Sequence, residues 1–202
     1  MEDATYQLKG IARIRDLSTP YSDRTEQYFS INELRKLLSR DFYYVSAKTI
    51  CAKSGKRIAI DNQMEFISDF LTRSHTFISS KEKEMTNVSA NPYEIIIKDY
   101  FMVRLLRMLK KEDEILMQFL GATFAGSVDP DARLKHFNRF QGQFACLKVL
   151  ATLGDNFFAN DGRLRDISPQ FLEQDQINNV TLLKKSNHYY VNKPIHNNTE
   201  PA

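Results

Sequence analysis

A chain of 202 residues with 42% hydrophobic and 26% charged side chains can enclose a core, which excludes wholesale disorder. A formal charge of +3 is low for a dedicated nucleic-acid domain, and 7 glycines are too few for a many-stranded sandwich. Cys51 and Cys146 cannot by themselves make a disulfide framework or a zinc site, and read as small buried hydrophobes in a reducing compartment. The first residues, MEDATYQLKG, are polar and acidic rather than apolar, unlike a secretory signal. The longest purely apolar runs are a few residues, such as Ile95-Ile96-Ile97, where a membrane-spanning helix needs about 20. A cytoplasmic protein without membrane insertion is the expectation.

Ser30-Ile31-Asn32-Glu33 has the form of a capping box, followed by Leu34, Leu37 and Leu38 on one helical face. From Phe42 to Cys51 the chain is aromatic and β-branched, and Lys53-Ser54-Gly55 is turn chemistry. Residues 42–60 therefore predict a β-hairpin ending in Arg57-Ile58-Ala59-Ile60. Asp61 or Asn62, with Glu65, is placed to cap the next helix, whose stripe is Met64, Ile67, Phe70 and Leu71. Residues 79–91 are polar and read as a linker and potential sub-boundary.

Asn91-Pro92 suggests a helix start, and Tyr93 to Phe119 reads as helical and strongly apolar, with Lys110 to Glu114 a potential interruption. Ile95, Ile96 and Ile97 would point to three sides of such a helix, more than one core-facing stripe needs. Asp129-Pro130 opens a further helix that Gly154 is placed to close, before a polar loop carrying Phe157 and Phe158. Val180-Thr181-Leu182-Leu183 and His188-Tyr189-Tyr190-Val191 frame a second expected hairpin. The sum is an α+β fold: four or five helices packed with two β-hairpins or one small antiparallel sheet. It forms a single domain over 1–193 with a loose tail at 194–202.

Catalytic and metal motifs fail one by one. Ser54-Gly55-Lys56 resembles the end of a phosphate-binding loop, but Ile50 stands where a glycine is required and Arg57 replaces the metal-binding hydroxyl. A hairpin turn explains these residues instead. A calcium loop built on Gly162 would put Phe157 and Ala159 at ligand positions, and neither can coordinate. His75, His136, His188 and His196 have no metal spacing, and His136 could act as a base only beside a carboxylate from elsewhere. No nucleophile elbow and no dinucleotide fingerprint occurs, so no cofactor, no metal and no catalytic residue is assigned.

Two binding readings remain ahead of an enzyme with an unrecognisable site. In the first, Tyr93, Ile96, Tyr100, Phe101, Met108, Met117, Phe157 and Phe158 form an apolar surface awaiting another protein chain, since methionine and aromatics suit interfaces. The expected protein is then a non-catalytic adaptor or subunit, such as a recruitment chaperone for secretion, in a hetero-complex rather than a homo-oligomer. In the second, Arg35, Lys36, Arg40, Lys48, Lys53, Lys56 and Arg57 face nucleic-acid phosphates.

Overall fold

A computed structural model of the chain describes residues 6–8, 10–15, 17, 22–81 and 92–185. The elements in order are β1 (Tyr6–Gln7), α1 (Ala12–Arg15), β2 (Asp23–Gln27), α2 (Asn32–Ile50) and α3 (Ser54–Ser79). Then follow β3 (Tyr93–Ile97), α4 (Tyr100–Phe124), α5 (Pro130–Thr152) and α6 (Gln174–Lys185), with short 3₁₀ turns at Asp155–Phe157 and Pro169–Phe171. The fold is α+β. The strands among the described residues, however, lie outside both expected hairpins.

The first hairpin is helical on both sides of a short turn at residues 51–53. Leu34, Leu37, Leu38, Phe42, Val45 and Thr49 are buried along one seam of α2, so a helical repeat continues through the β-branched stretch. Burial of that seam overrides local strand preference, which depends strongly on context. Likewise Ser54-Gly55-Lys56 is the first turn of α3 rather than a hairpin turn, and Asp61 and Asn62 lie inside the helix they were expected to cap. In the second, Val180 to Leu183 belong to α6, with Leu183 buried, while His188 to Val191 lie outside the described residues. So do residues 82–91 of the expected linker and the 194–202 tail.

The isoleucine run has the opposite outcome. Residues 93–97 form β3, in which Tyr93, Ile95 and Ile97 turn inward and Glu94 and Ile96 are only partly covered. A period of two disposes of three consecutive isoleucines more easily than a helix can. The helix begins after it, where the Asp99 carboxylate accepts from the Phe101 amide at 2.7 Å. It then runs unbroken to Phe124, because Glu112 and Asp113 are buried and bonded rather than breaking it.

The four long helices form a bundle whose directions follow from side-chain pairs. Asp41–Lys148 at 2.8 Å and Tyr44–Thr152 at 3.0 Å set α2 parallel to α5. Asp61–Arg104 at 2.6 Å near one end and Phe77–Phe119 at 6.4 Å near the other set α3 parallel to α4. The Gln63 amide donates to the Gln143 carbonyl at 3.0 Å, and Phe70 stacks on His136, so α3 runs against α5. Asp113 joins α4 to the opposite end of α2: its carboxylate accepts from the Ser30 and Ile31 amides at 2.9 Å each. It does the work expected of the Ser30–Glu33 box, since Ile31 is the N-cap residue and no side chain of its own caps the helix.

Against this bundle lies a sheet in the order β1–β3–β2, with β3 antiparallel to β2 and parallel to the two residues of β1. Past the end of β1, the Ile96 N–H donates to the Tyr43 hydroxyl of α2 at 2.8 Å, so helix and sheet are joined by a partly buried bond.

The loop after α5 folds back over the start of α3. Phe157 and Phe158 are 3% exposed each, Asp155 accepts from the Lys53 amide, and Gly55 leaves no room for a side chain. A Cβ there would sit 2.1 Å from the Ala159 carbonyl oxygen. Gly55→Ala is expected to lower the free energy of unfolding by about 2 kcal/mol, because the backbone of the loop must move. Urea denaturation with unchanged stability would show that the loop is not seated on α3.

A candidate protein-binding groove between β2 and α4

The side chains that gave α4 its apparent surplus of apolar surface are mostly spent inside this chain. Phe101, Met108 and Met117 are buried in the bundle, Tyr93 is buried under the sheet, and Phe157 and Phe158 close the loop over α3. Ile96 is partly covered, and Tyr100 alone is open, at 68%. The eight residues do not form one surface.

The basic residues do not form one surface either: Arg35, Lys36 and Arg40 line one recess beside Tyr93, and the others lie elsewhere. Lys56 is buried and donates to the carbonyls of Ala151 and Leu153 at 2.8 and 2.6 Å, closing the C-terminal end of α5. Arg57 pairs with Asp61 and Asp99 at 3.6 and 3.5 Å and lies over the Phe101 ring. Arg35 donates to the Phe29 and Ser30 carbonyls, and Arg40 holds Asp41 at 2.6 Å. Lys36, Arg40, Lys48 and Lys53 are exposed, but Lys36 and Lys48 are about 18 Å apart along α2 at 1.5 Å per residue, and Arg40 between them is paired with Asp41. They make no continuous stripe.

His136 does meet a carboxylate from elsewhere, but in the interior. Its Nε2 lies 2.8 Å from Glu112 Oε2, with Phe70 stacked on the ring at 4.9 Å and Phe119 at 5.0 Å. Glu112 is fully buried, and burial pushes its carboxyl above the ordinary range while His136 pulls it back. Cys146 is buried as expected. Cys51 is exposed, because it lies just past the end of α2. Among the described residues no three metal-ligating side chains converge, and no helix is long and apolar enough to cross a membrane.

What sequence reasoning missed is a groove of about 430 Å³ between β2 and the outward side of α4. β3 packs its inner side chains on the bundle, whereas the alternate residues Asp23, Thr25 and Gln27 of β2 stay exposed or only partly covered and line the groove. Ile97, Val103 and Leu106 form the apolar floor. Arg107, Lys110 and Lys111 form most of the far wall, together with Glu114. Lys110 is held against the Tyr28 carbonyl and the Phe29 ring, and Lys111 lies 3.4 Å from Glu114. Arg107 is exposed, and among the described residues its guanidinium has no hydrogen bond or ion pair. A smaller recess of about 370 Å³ between α3 and α4 shares Arg107 and Lys111, so these two cations stand on the ridge between two depressions.

The strand register fixes which backbone groups of β2 are open. Arg24 lies opposite Ile96, whose N–H points to Tyr43 and away from β2. The Arg24–Ile96 pair is therefore the kind that exchanges no ladder bonds, and so is Glu26–Glu94 two residues on. The N–H and C=O of Arg24 and Glu26 accordingly face the outer edge. There the Arg24 amide is taken by the Asp23 side chain at 2.8 Å. Among the described residues no strand pairs with this edge.

The chain matches no protein-family model, no curated protein and no solved structure. The groove must be read on its own geometry.

Proposed function

We propose that this chain is a non-catalytic, cytoplasmic protein-binding subunit that seats a different protein in the groove between β2 and α4. The observation that carries the reading is the combination of an apolar floor at Ile97, Val103 and Leu106 with a cation on the wall, Arg107, that has no ion pair among the described residues. Apolar area supplies affinity on desolvation, and a charged rim selects among partners. The segment expected to bind a partner, α4, does line the groove. It does so through Val103, Leu106, Arg107, Lys110, Lys111 and Glu114, none of them among the eight residues expected to bind a partner.

Photo-crosslinking in the native cell tests the proposal. A photoreactive phenylalanine analogue placed at Thr25 or Arg107 is expected to capture one stoichiometric protein. The same analogue at Lys48, on the far part of α2, is expected to capture none. Crosslinks arising only from Lys48, or a partner whose yield ignores Arg107→Glu, would overturn it.

A further inference from the structure

Resting on that reading of the groove, we infer that its occupant is an extended segment of the partner that adds to the open edge of β2. The segment carries an acidic side chain opposite Arg107. Three observations converge on this. The outer edge of β2 offers the Glu26 N–H and the carbonyls of Arg24 and Glu26, the Arg24 N–H being held by Asp23, and an added strand would satisfy them as β3 satisfies the other edge. β2 spans five residues, about 16 Å at strand rise, which is enough for two or three pairing positions. The groove lies beneath that same edge, so alternate side chains of a paired strand would drop onto Val103 and Leu106 while the others stay in water.

Charge decides the polarity of the occupant. Arg104 and Lys111 already face carboxylates, at 2.6 and 3.4 Å, and Lys110 is bonded to a carbonyl. Among the described residues Arg107 is the groove cation without an anionic or carbonyl partner, between both depressions, and a guanidinium pairs with a carboxylate through two parallel hydrogen bonds. A helix laid in the groove would satisfy none of the edge peptide groups. A basic segment would bring like charge against Arg107, Lys110 and Lys111.

The edge also provides a selective variant. Proline at position 26 removes an outward N–H and leaves the ladder to β3 intact, a setting in which an edge strand accepts proline. Glu26→Pro should therefore fold while blocking strand addition.

The experiment screens the full chain against a library of random eight-residue peptides displayed on phage, then measures enriched synthetic peptides by titration. Enriched peptides are expected to alternate apolar residues with polar ones, to carry at least one acid, and to slow amide hydrogen exchange at Glu26. Both Glu26→Pro and Arg107→Glu are expected to weaken them about tenfold or more. Loss with Arg107→Glu but not with Glu26→Pro would sink strand addition while leaving the groove as the binding site. Peptides indifferent to both variants, or enrichment of basic or helix-patterned sequences, would overturn this inference. If photo-crosslinking also ignored the groove, the functional reading would fall with it.

Discussion

His136→Leu is expected to destabilise the fold by about 3–5 kcal/mol at neutral pH, although the residue touches no groove. The reason is its partner. Glu112 is fully enclosed, and among the described residues its other carboxylate oxygen, Oε1, has no hydrogen bond. Removing the imidazole takes away the one bond at 2.8 Å that compensates a carboxylate without solvent. Leucine also replaces a ring stacked between Phe70 and Phe119, so some packing is lost with the bond.

The pH dependence carries a sign that a packing defect alone would not give. Burial raises the Glu112 carboxyl, so the folded chain retains a proton that the unfolded chain releases. Its contribution to stability is complete below the ordinary carboxylate range and is lost as pH rises through the raised value. His136 opposes that shift through its hydrogen bond and charge, so in His136→Leu the loss on raising pH should be steeper. Glu112→Gln keeps a polar partner for His136 without a charge and should flatten the dependence. Urea unfolding measured from pH 4 to pH 9 would decide. A His136→Leu curve parallel to that of the parent would show that the pair contributes only packing.

Much of the architecture was legible because it rests on periodicity and caps. Asp129 accepts from the Asp131 amide at 2.7 Å with Pro130 in the first turn, as the two residues imply. The helical core of α4 and the α+β class also follow from the sequence. The errors share a cause. Phe42 to Ile60 prefers strand locally and Tyr93 to Ile97 tolerates helix locally, but each is settled by what it packs against. One usable sign was present: Leu38, Phe42, Val45 and Thr49 extend the spacing of Leu34 and Leu37 without a break.

The groove was less legible, and for a physical reason. No single segment contains it. β2 and α4 are about 80 residues apart, and Asp23-Arg24-Thr25-Glu26-Gln27 has no apolar alternation to mark it as a strand. Its edge is charged, as unpaired edges commonly are, and such sequences look like loops. Arg107 became a candidate only once its neighbours Arg104, Lys110 and Lys111 were seen to be engaged. A run of cations gives no hint of which one is unsatisfied until the structure shows the anions beside it.

Lys56 makes the converse case, and Lys56→Met is expected to cost about 3 kcal/mol. Its ammonium closes two carbonyls at the end of α5, and each carbonyl left unpaired in the interior costs roughly 1–3 kcal/mol. Methionine retains the length of the stem, so the loss isolates the bonds and the charge at the helix terminus. Burial lowers the lysine below its ordinary value of 10.5, so on that account alone stability rises with pH between the lowered value and 10.5. The methionine variant should lose that rise. Lys36→Ala and Lys48→Ala, both at exposed positions, should each change stability by less than about 0.5 kcal/mol. Heparin retention separates structure from phosphate binding: folded Lys56→Met should elute with the parent, because its ammonium faces backbone rather than solvent. Earlier elution of that folded variant, with a salt dependence reduced by about one charge, would put Lys56 on a phosphate surface and undo its role as the clamp on α5.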